Sequence, residues 1–199
     1  MLERIMNIDV GTYLRPCFGE RVIGDAIVTS LNEDYSYLIV IDGIGHGVTA
    51  EMISQKIKRY IESILFPDPA KMIEKIHSHM KGSEGAVIGI SVIDHLKSTL
   101  TYAALGNISC RIIGEKNKMM VPADGLVGVR FRSVLNEKIS LHHRDLILMH
   151  SDGVSSTSEI LEFPKLHAYS PSLLSKKLIQ SFGNEYDDAS CVAARCKLN

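Results

Sequence analysis

The sequence predicts an α+β fold in which helices cover the outer faces of packed, mostly antiparallel sheets. Strand-like segments come first, two helices follow, and a block of short strands precedes a helical region and a final strand. Because strands and helices do not alternate regularly, this order favours α+β layers over a parallel sheet. With 199 residues, of which 45% are hydrophobic, the chain can bury a sizeable core, and we predict a single domain over residues 1–199.

The first three predicted strands lead to a conspicuous acid. Partial alternation of apolar and polar residues predicts strands over Ile8–Leu14 and Arg21–Leu31, and the third strand covers Tyr35–Ile41. This apolar run ends at Asp42, after which three glycines follow within five positions: Gly43, Gly45 and Gly47. Glycine permits a tight turn, so a backbone group could approach a ligand beside the Asp42 carboxylate.

Two helices follow this turn. Apolar residues at spacings of three and four predict an amphipathic helix over Val48–Phe66, which Pro67 and Pro69 end. A second helix is predicted over Pro69–Met80. The apolar stripe predicted for the first helix consists of Val48, Met52, Ile53, Ile57, Tyr60, Ile61, Ile64 and Leu65.

The second half of the chain is predicted to consist mainly of short strands. These are Ala86–Ile93, Thr99–Leu105, Ser109–Ile113, Lys118–Val121, Val134–Leu141 and Leu146–His150. The last of them again ends in Asp-Gly, at Asp152. A helix is predicted to begin near Ser155 or Ser156, another covers Ser172–Phe182, and the final strand covers Cys191–Cys196.

Charge and composition exclude several classes of protein. The formal net charge of −1 and the isoelectric point near 6.7 argue against a nucleic-acid or anionic-membrane partner. No apolar run is long enough for a bilayer span or a signal peptide. The four cysteines form no close CxxC pair, which argues against a thiolate zinc site. Because the N-terminus lacks an export signal, we expect reduced thiols and a cytoplasmic location.

Acids recur at predicted strand ends, which suggests a metal site. Carboxylates gathered at one end of a sheet would repel one another unless cations lay between them. The acids in question are Asp25, Asp42, Asp152 and the pair Asp187 and Asp188. Oxygen ligands favour Mg²⁺ or Mn²⁺. Two such ions, roughly 3.5–4 Å apart, are suited to displacement at phosphorus. An alternative for Asp25 is that an edge strand simply turns it towards solvent.

These motifs resemble a known family. Four acid motifs are similar, in their order along the chain, to those of the SpoIIE-like bacterial branch of the PPM/PP2C metal-dependent phosphatases. They are Gly24-Asp25, Asp42-Gly43-Ile44-Gly45-His46-Gly47, Ser151-Asp152-Gly153 and Asp187-Asp188-Ala189-Ser190. The segments at 100–107 and 126–129 also resemble that family. The resemblance implies an α/β/β/α sandwich of two antiparallel sheets. It also implies hydrolysis of phosphoserine or phosphothreonine by direct attack of a metal-bound water.

The resemblance also implies roles for individual residues. Asp42 would bridge two Mn²⁺ or Mg²⁺ ions, and the Gly43 carbonyl would bind one of them. Asp152 and either Asp187 or Asp188, with preference for Asp187, would hold the second ion. Asp25 would act through a bound water or a weaker metal position, and Gly106-Asn107 is interpreted as a structural turn.

Two further residues are candidates for phosphate binding or proton transfer. Arg21 is a nearby candidate for the phosphate-binding arginine of larger members, although its match to their pattern is poor. His46 could donate a proton to the leaving oxygen; the alternative is a loop histidine that shapes the glycine turn.

The length of the chain, without a sensor or receiver segment, resembles the RsbX-type phosphatases of the stressosome branch. That resemblance implies phosphorylated STAS-domain and related scaffold proteins as substrates, with the oligomeric state left open. An alternative from another class is a non-catalytic phosphoprotein-binding module with the same fold. A GHKL-type kinase is disfavoured because Ile44 occupies a position where its motif requires glycine.

Overall fold

The computed structural model describes residues 6–155, 158–163 and 166–198 of the chain. In these residues the helices are α1 (Gly47–Ile64), α2 (Pro69–His79) and α3 (Pro171–Phe182). The strands are β1 (Met6–Arg15), β2 (Asp25–Leu31), β3 (Tyr35–Gly43), β4 (Ala86–Asp94), β5 (Thr99–Leu105), β6 (Ser109–Ile113), β7 (Lys118–Met120), β8 (Gly125–Leu126), β9 (Arg130–Phe131), β10 (Glu137–Ser140), β11 (Leu146–His150) and β12 (Ala189–Leu198).

Two antiparallel sheets of five strands form the centre of the fold. Sheet I has the order β1-β12-β11-β6-β7, and sheet II has the order β10-β5-β4-β3-β2. A separate two-stranded hairpin, β8–β9, follows β7 in the chain. The predicted α+β arrangement of two antiparallel sheets with flanking helices is therefore confirmed.

The alternation of β3 shows how sheet II separates two cores. Ile39 and Ile41 pack with residues of α1 and α2, whereas Leu38 and Val40 pack with residues of sheet I. Successive strand residues point to opposite faces, so a fully apolar strand can serve both cores. β3 is consequently buried on both sides.

Sheet I separates its two cores in the same way. In β12, Val192 and Ala194 face sheet II, while Cys191 and Ala193 pack against α3. The two sheets therefore lie face to face, with α1 and α2 on one outside and α3 on the other. This order of layers is α/β/β/α, as the resemblance implied.

Two predicted strands are shorter in the structure. The second strand begins at Asp25 and not at Arg21, because the Gly24 N–H donates to Asp188 Oδ2 (2.8 Å) and leaves the strand ladder. The predicted strand over Val134–Leu141 is reduced to Glu137–Ser140. Its first part instead supports α2, where the Ala70 N–H donates to Asn136 Oδ1 (2.9 Å).

The predicted helices also differ in part. Of the helix predicted near Ser155 or Ser156, residues 156–157 lie outside the described residues, and Ser158–Ile160 forms a single 3₁₀ turn. In α1, Val48 and Met52 are 62% and 66% exposed, so the predicted inward stripe is wrong for these two residues. The buried face of α1 begins instead with Ala50 and Ile53.

Candidate active site

The acids predicted to form a site do converge at one end of the sandwich. Asp25 and Asp42 are direct partners across β2 and β3. Asp42 lies two residues after Val40 in β3, so both side chains point to the same face of the sheet. Val40 faces the space between the two sheets. On sheet I, His150 pairs with Cys191, so Asp152, after β11, and the segment before β12 lie at a common edge.

Asp42 is the acid most affected by its neighbours. Burial, followed by repulsion from Asp25, Asp152 and Asp187, raises the pKa of Asp42 to about 8. Asp152 lies close enough for a protonated Asp42 to donate a hydrogen bond to it. Burial and then repulsion from Asp152 also raise the pKa of Asp187. Carboxyl groups from both sheets therefore share one electrostatic environment.

Asp25 lies beneath these acids and is only 2% exposed. Its Oδ2 accepts a hydrogen bond from Ser151 Oγ (2.6 Å), which in turn accepts one from the Ser190 N–H (3.0 Å). Burial raises the pKa of Asp25 to about 7, although the serine hydrogen bonds oppose the shift. The alternative that an edge strand turns Asp25 to solvent is therefore wrong, because Ser151 ties Asp25 to the opposite sheet.

The adjacent acids Asp187 and Asp188 have different surroundings. Asp188 is 3% exposed, and its Oδ1 and Oδ2 accept hydrogen bonds from the N–H groups of Cys17 and Gly24, both at 2.8 Å. Asp187 is partly exposed, and its Oδ1 accepts from the Asp188 N–H (2.9 Å). Asp188 thus holds the segment between β1 and β2 in place, whereas Asp187 faces the open site with Asp42 and Asp152.

The glycine turn after Asp42 has two physical requirements. A Cβ on Gly43 would lie 2.5 Å from the Ala50 carbonyl oxygen, so only glycine lets β3 approach α1 this closely. Gly45 and Gly47 have φ values of +91° and +73°, which side-chain-bearing residues rarely adopt. The turn therefore brings the start of α1 directly beside the acids.

His46 is the residue before α1, and its side chain is 72% exposed. Its Nδ1 lies 3.4 Å from Glu20 Oε1, and its proximity to Asp187 opposes, without reversing, the rise in the pKa of that acid. Arg21 is exposed on the segment that Asp188 holds. Among the hydrogen bonds and ion pairs found between described residues, none connects Arg21 to the acids.

Several residues of the site were not assigned a role there from the sequence, although three of them lie within the quoted motifs. The Asn107 amide donates to Asp152 Oδ2 (2.6 Å), so Asn107 does more than form a turn. Ser151 and Ser190 connect Asp25 to sheet I, and Glu20 contacts His46. The contacts of these polar residues become apparent only when the two sheets are assembled.

The donor set fits hard divalent cations. Among the ion pairs found between described residues, none gives a lysine or arginine partner to Asp25, Asp42, Asp152, Asp187 or Asp188. Within the same part of the chain, no group of three or more His, Cys, Asp or Glu side chains could by itself hold a metal ion. Mg²⁺ commonly binds through one or two carboxylates and retains waters, so this open arrangement suits it.

Comparison with known proteins identifies relatives of the same architecture. The family model described as Stage II sporulation protein E (SpoIIE) matches residues 32–197. The phosphoserine phosphatase RsbX of Bacillus subtilis (strain 168) is 22% identical over 139 residues, which are 69% of this chain and 70% of RsbX.

Solved structures agree with this family match. One, described as the bacterial stressosome, a modular system adapted to control secondary messenger signaling, is 26% identical, with a TM-score of 0.87 over 95% of this chain and 100% of that chain. A crystal structure of RsbX in complex with magnesium is 19% identical, with a TM-score of 0.84 over 99% of this chain and 98% of that chain.

Proposed function

The chain belongs to the SpoIIE family of PP2C-type phosphatases, and we propose that it hydrolyses phosphoserine or phosphothreonine in a regulatory protein. The observation that carries this proposal is the convergence of Asp42, Asp152 and Asp187 from two sheets, without a basic partner among the described residues. Such a concentration of carboxylates is costly unless a cation compensates it. We therefore propose a phosphatase that requires divalent metal.

We propose that two Mn²⁺ or Mg²⁺ ions occupy this end of the sandwich. Asp42 would contact both ions, the Gly43 carbonyl would contact one, and Asp152 with Asp187 would hold the other. Bound divalent ions polarise phosphate oxygens and lower the pKa of water. Asp187 is preferred over Asp188 because both oxygens of Asp188 already accept backbone hydrogen bonds.

Asp25, Ser151 and Ser190 are proposed to support this ligand set. Asp25 is buried directly opposite Asp42, so it can hold a water or a weaker cation position below the two ions. Ser151 fixes the orientation of its carboxyl group. Groups that orient metal ligands in this way tune the affinity of a site for its metal.

His46 and Arg21 are proposed to act on the substrate side of the site. Glu20 Oε1 lies 3.4 Å from His46 Nδ1 and would orient the ring, so that the ring could donate a proton to the leaving oxygen. Arg21 has no ion-pair partner among the described residues and is available to a phosphate group.

The proposed substrates are phosphorylated STAS-domain or other stressosome-type scaffold proteins. The support for this is the similarity to RsbX and to the stressosome structure. No helix in the described part of the chain is long and apolar enough to cross a membrane. All four cysteines are free thiols, which supports a proposed cytoplasmic location.

The proposal is tested by phosphate release from a phosphoserine protein, with and without Mn²⁺, for the native chain and for Asp42→Asn. We expect activity that requires metal and falls at least about 100-fold in the variant. Calorimetric titration with Mn²⁺ measures metal binding independently of turnover. Asp42→Asn should weaken this binding. Activity indifferent to both metal and Asp42 would exclude the mechanism, and binding of the phosphoprotein without turnover would favour the non-catalytic alternative.

A further inference from the structure

A pocket of about 520 Å³ lies at the β8–β9 hairpin, outside the acidic site. Its apolar wall is formed by Leu126, Val129 and Phe131, and its charged lining residues are Asp124, Arg130 and Arg132. Two arginines against one aspartate give the lining a positive charge. This contrasts with the carboxylates of the neighbouring site.

The hairpin that forms the pocket is held by contacts with the rest of the fold. The Gly128 N–H donates to Nδ1 of His77 on α2 (3.2 Å), and the Phe131 ring meets the His77 ring edge-on at 4.9 Å. Backbone hydrogen bonds also join Val127 to Ala86 in both directions, at 3.3 and 3.0 Å. The pocket is therefore preformed and does not depend on a ligand for its shape.

The pocket and the acidic site are neighbours along two routes. The Gly85 carbonyl accepts from the Ile44 N–H (3.1 Å), just after Gly43 in the acidic site. The Val129 side chain packs so closely on Gly85 that a Cβ there would lie 2.7 Å from it.

On the other side, Asn107 donates to Asp152. The preceding residue, Gly106, neighbours the Gly125 carbonyl, which would lie in ordinary van der Waals contact, at 3.5 Å, with a Cβ added there. The pocket therefore adjoins the acidic site, and a substrate segment that continued from the acids towards the hairpin would reach it.

Arg130 and Arg132 are both exposed and point to an anionic ligand. Among the ion pairs found between described residues, neither arginine has an acidic partner. Guanidinium groups bind carboxylates through paired hydrogen bonds. The apolar wall beside them suits the aliphatic part of a side chain.

We propose that this pocket binds an aspartate or glutamate side chain of the substrate protein, close in sequence to its phosphorylated residue. The inference rests on the proposed phosphatase function and adds a preference for acidic substrate segments. The phosphoryl group would lie over Asp42, Asp152 and Asp187, while the arginine pocket would hold the carboxylate. Selectivity for acidic substrate segments would then arise from the positive charge of the arginines, which is opposite to the charge of the acids at the catalytic site.

The test compares phosphoserine peptides that differ by one residue. In one series a glutamate is moved position by position along each side of the phosphoserine, and in the matched series that glutamate is replaced by glutamine. For the Mn²⁺-loaded native enzyme we expect one position at which glutamate raises kcat/KM by about tenfold through KM. Absence of a preferred position would overturn the proposal.

Variants assign the preference to the pocket. In Arg130→Ala/Arg132→Ala the preference for glutamate over glutamine should disappear, and in Arg130→Glu/Arg132→Glu a lysine at that position should be favoured instead. Arg59→Ala, an exposed arginine far along α1, is the matched control and should retain the preference. Retention of the preference in both pocket variants would overturn the proposal.

Two readouts separate this inference from the proposed function. Hydrolysis of p-nitrophenyl phosphate by the native enzyme reports the chemistry without a peptide, so its absence would contradict the phosphatase proposal itself. Chemistry without peptide discrimination would contradict only the pocket proposal. If sedimentation shows a dimer that the arginine variants dissociate, a second copy of the chain occupies the pocket and the proposal is wrong.

Discussion

Asp25 and Asp42 are direct partners across β2 and β3, so their side chains lie on the same face of the sheet at its end. Like charges in this position destabilise a pair of strands. The repulsion is visible at Asp42, whose pKa rises to about 8 through burial and then through the charge of Asp25. The sandwich therefore holds two acids together at a cost that a bound cation would offset.

The metal-free protein should lose stability as the pH rises through 7 to 8. Burial and neighbouring acids raise the pKa of Asp25 to about 7 and that of Asp42 to about 8, from an ordinary value of 3.8. Between pH 3.8 and these raised pKa values, the folded state consequently binds more protons than the unfolded state. The contribution of the two protonated carboxyl groups to the free energy of unfolding is present in full below pH 3.8. It is lost as the pH rises through their pKa values in the folded state.

The measurement is the Tm of the protein in a chelator between about pH 5 and pH 9. We expect a fall corresponding to a few kcal/mol, since each pKa unit is worth about 1.4 kcal/mol. Asp42→Asn should raise the Tm at the alkaline end and flatten the profile, and Mn²⁺ should stabilise the native chain most where the acids are ionised. A profile identical for the native chain and the variant would contradict this account of the acids.

The main elements of the fold could be predicted because their patterns are local. The buried run before Asp42 and the spacing of Ile53, Ile57 and Ile61 each indicate one element without reference to the rest of the chain. By contrast, the β8–β9 hairpin has two residues per strand, and contacts with α2 and β4 hold it in place. No periodicity can develop over so short a segment.

The site could be predicted only as far as its carboxylates are concerned. Asp42 and Asp152 each follow an apolar strand and precede glycine, a pattern that stands out in the sequence. The support given by Ser151 to Asp25 depends instead on two residues 126 positions apart. The exposure of Val48 and Met52 was likewise unpredictable, because the packing of α1 on sheet II and not its own periodicity decides which face is covered.

Substitution of Asp187 and of Asp188 should affect different properties, metal binding in the first case and stability in the second. Asp188→Ala removes the acceptor of two backbone N–H groups, those of Cys17 and Gly24, and should cost on the order of 2–4 kcal/mol of unfolding free energy. Asp187→Ala should change the stability of the metal-free protein by no more than about 1 kcal/mol but should weaken Mn²⁺ binding. Chemical denaturation and calorimetric titration measure the two effects, and the reverse pattern would transfer the ligand role to Asp188.

Asn107 should tune the affinity of the site for metal. Its amide donates to Asp152 Oδ2, and loss of a group that orients a metal ligand typically costs about 10–100-fold in affinity. We therefore expect Asn107→Ala to weaken Mn²⁺ binding by a factor in this range with little change in Tm. The matched control is Asn117→Ala, which removes an asparagine that accepts from Gly114 in the turn between β6 and β7. Equal effects of both substitutions on Mn²⁺ binding would show that Asn107 has no specific role at Asp152.

Gly43→Ala should damage both the fold and the metal site. The new Cβ would lie 2.5 Å from the Ala50 carbonyl oxygen, so either the end of β3 or the first turn of α1 must move. Overpacking of this kind costs about 1–3 kcal/mol, and the same displacement shifts the Gly43 carbonyl that we propose as a ligand. Gly82→Ala is the control, because Gly82 has a φ of +83° but no atom within 4 Å of its added Cβ. The control should lose stability through backbone strain while binding Mn²⁺ as the native chain does; weakened binding in both variants would mean that loss of stability alone explains the effect of Gly43→Ala.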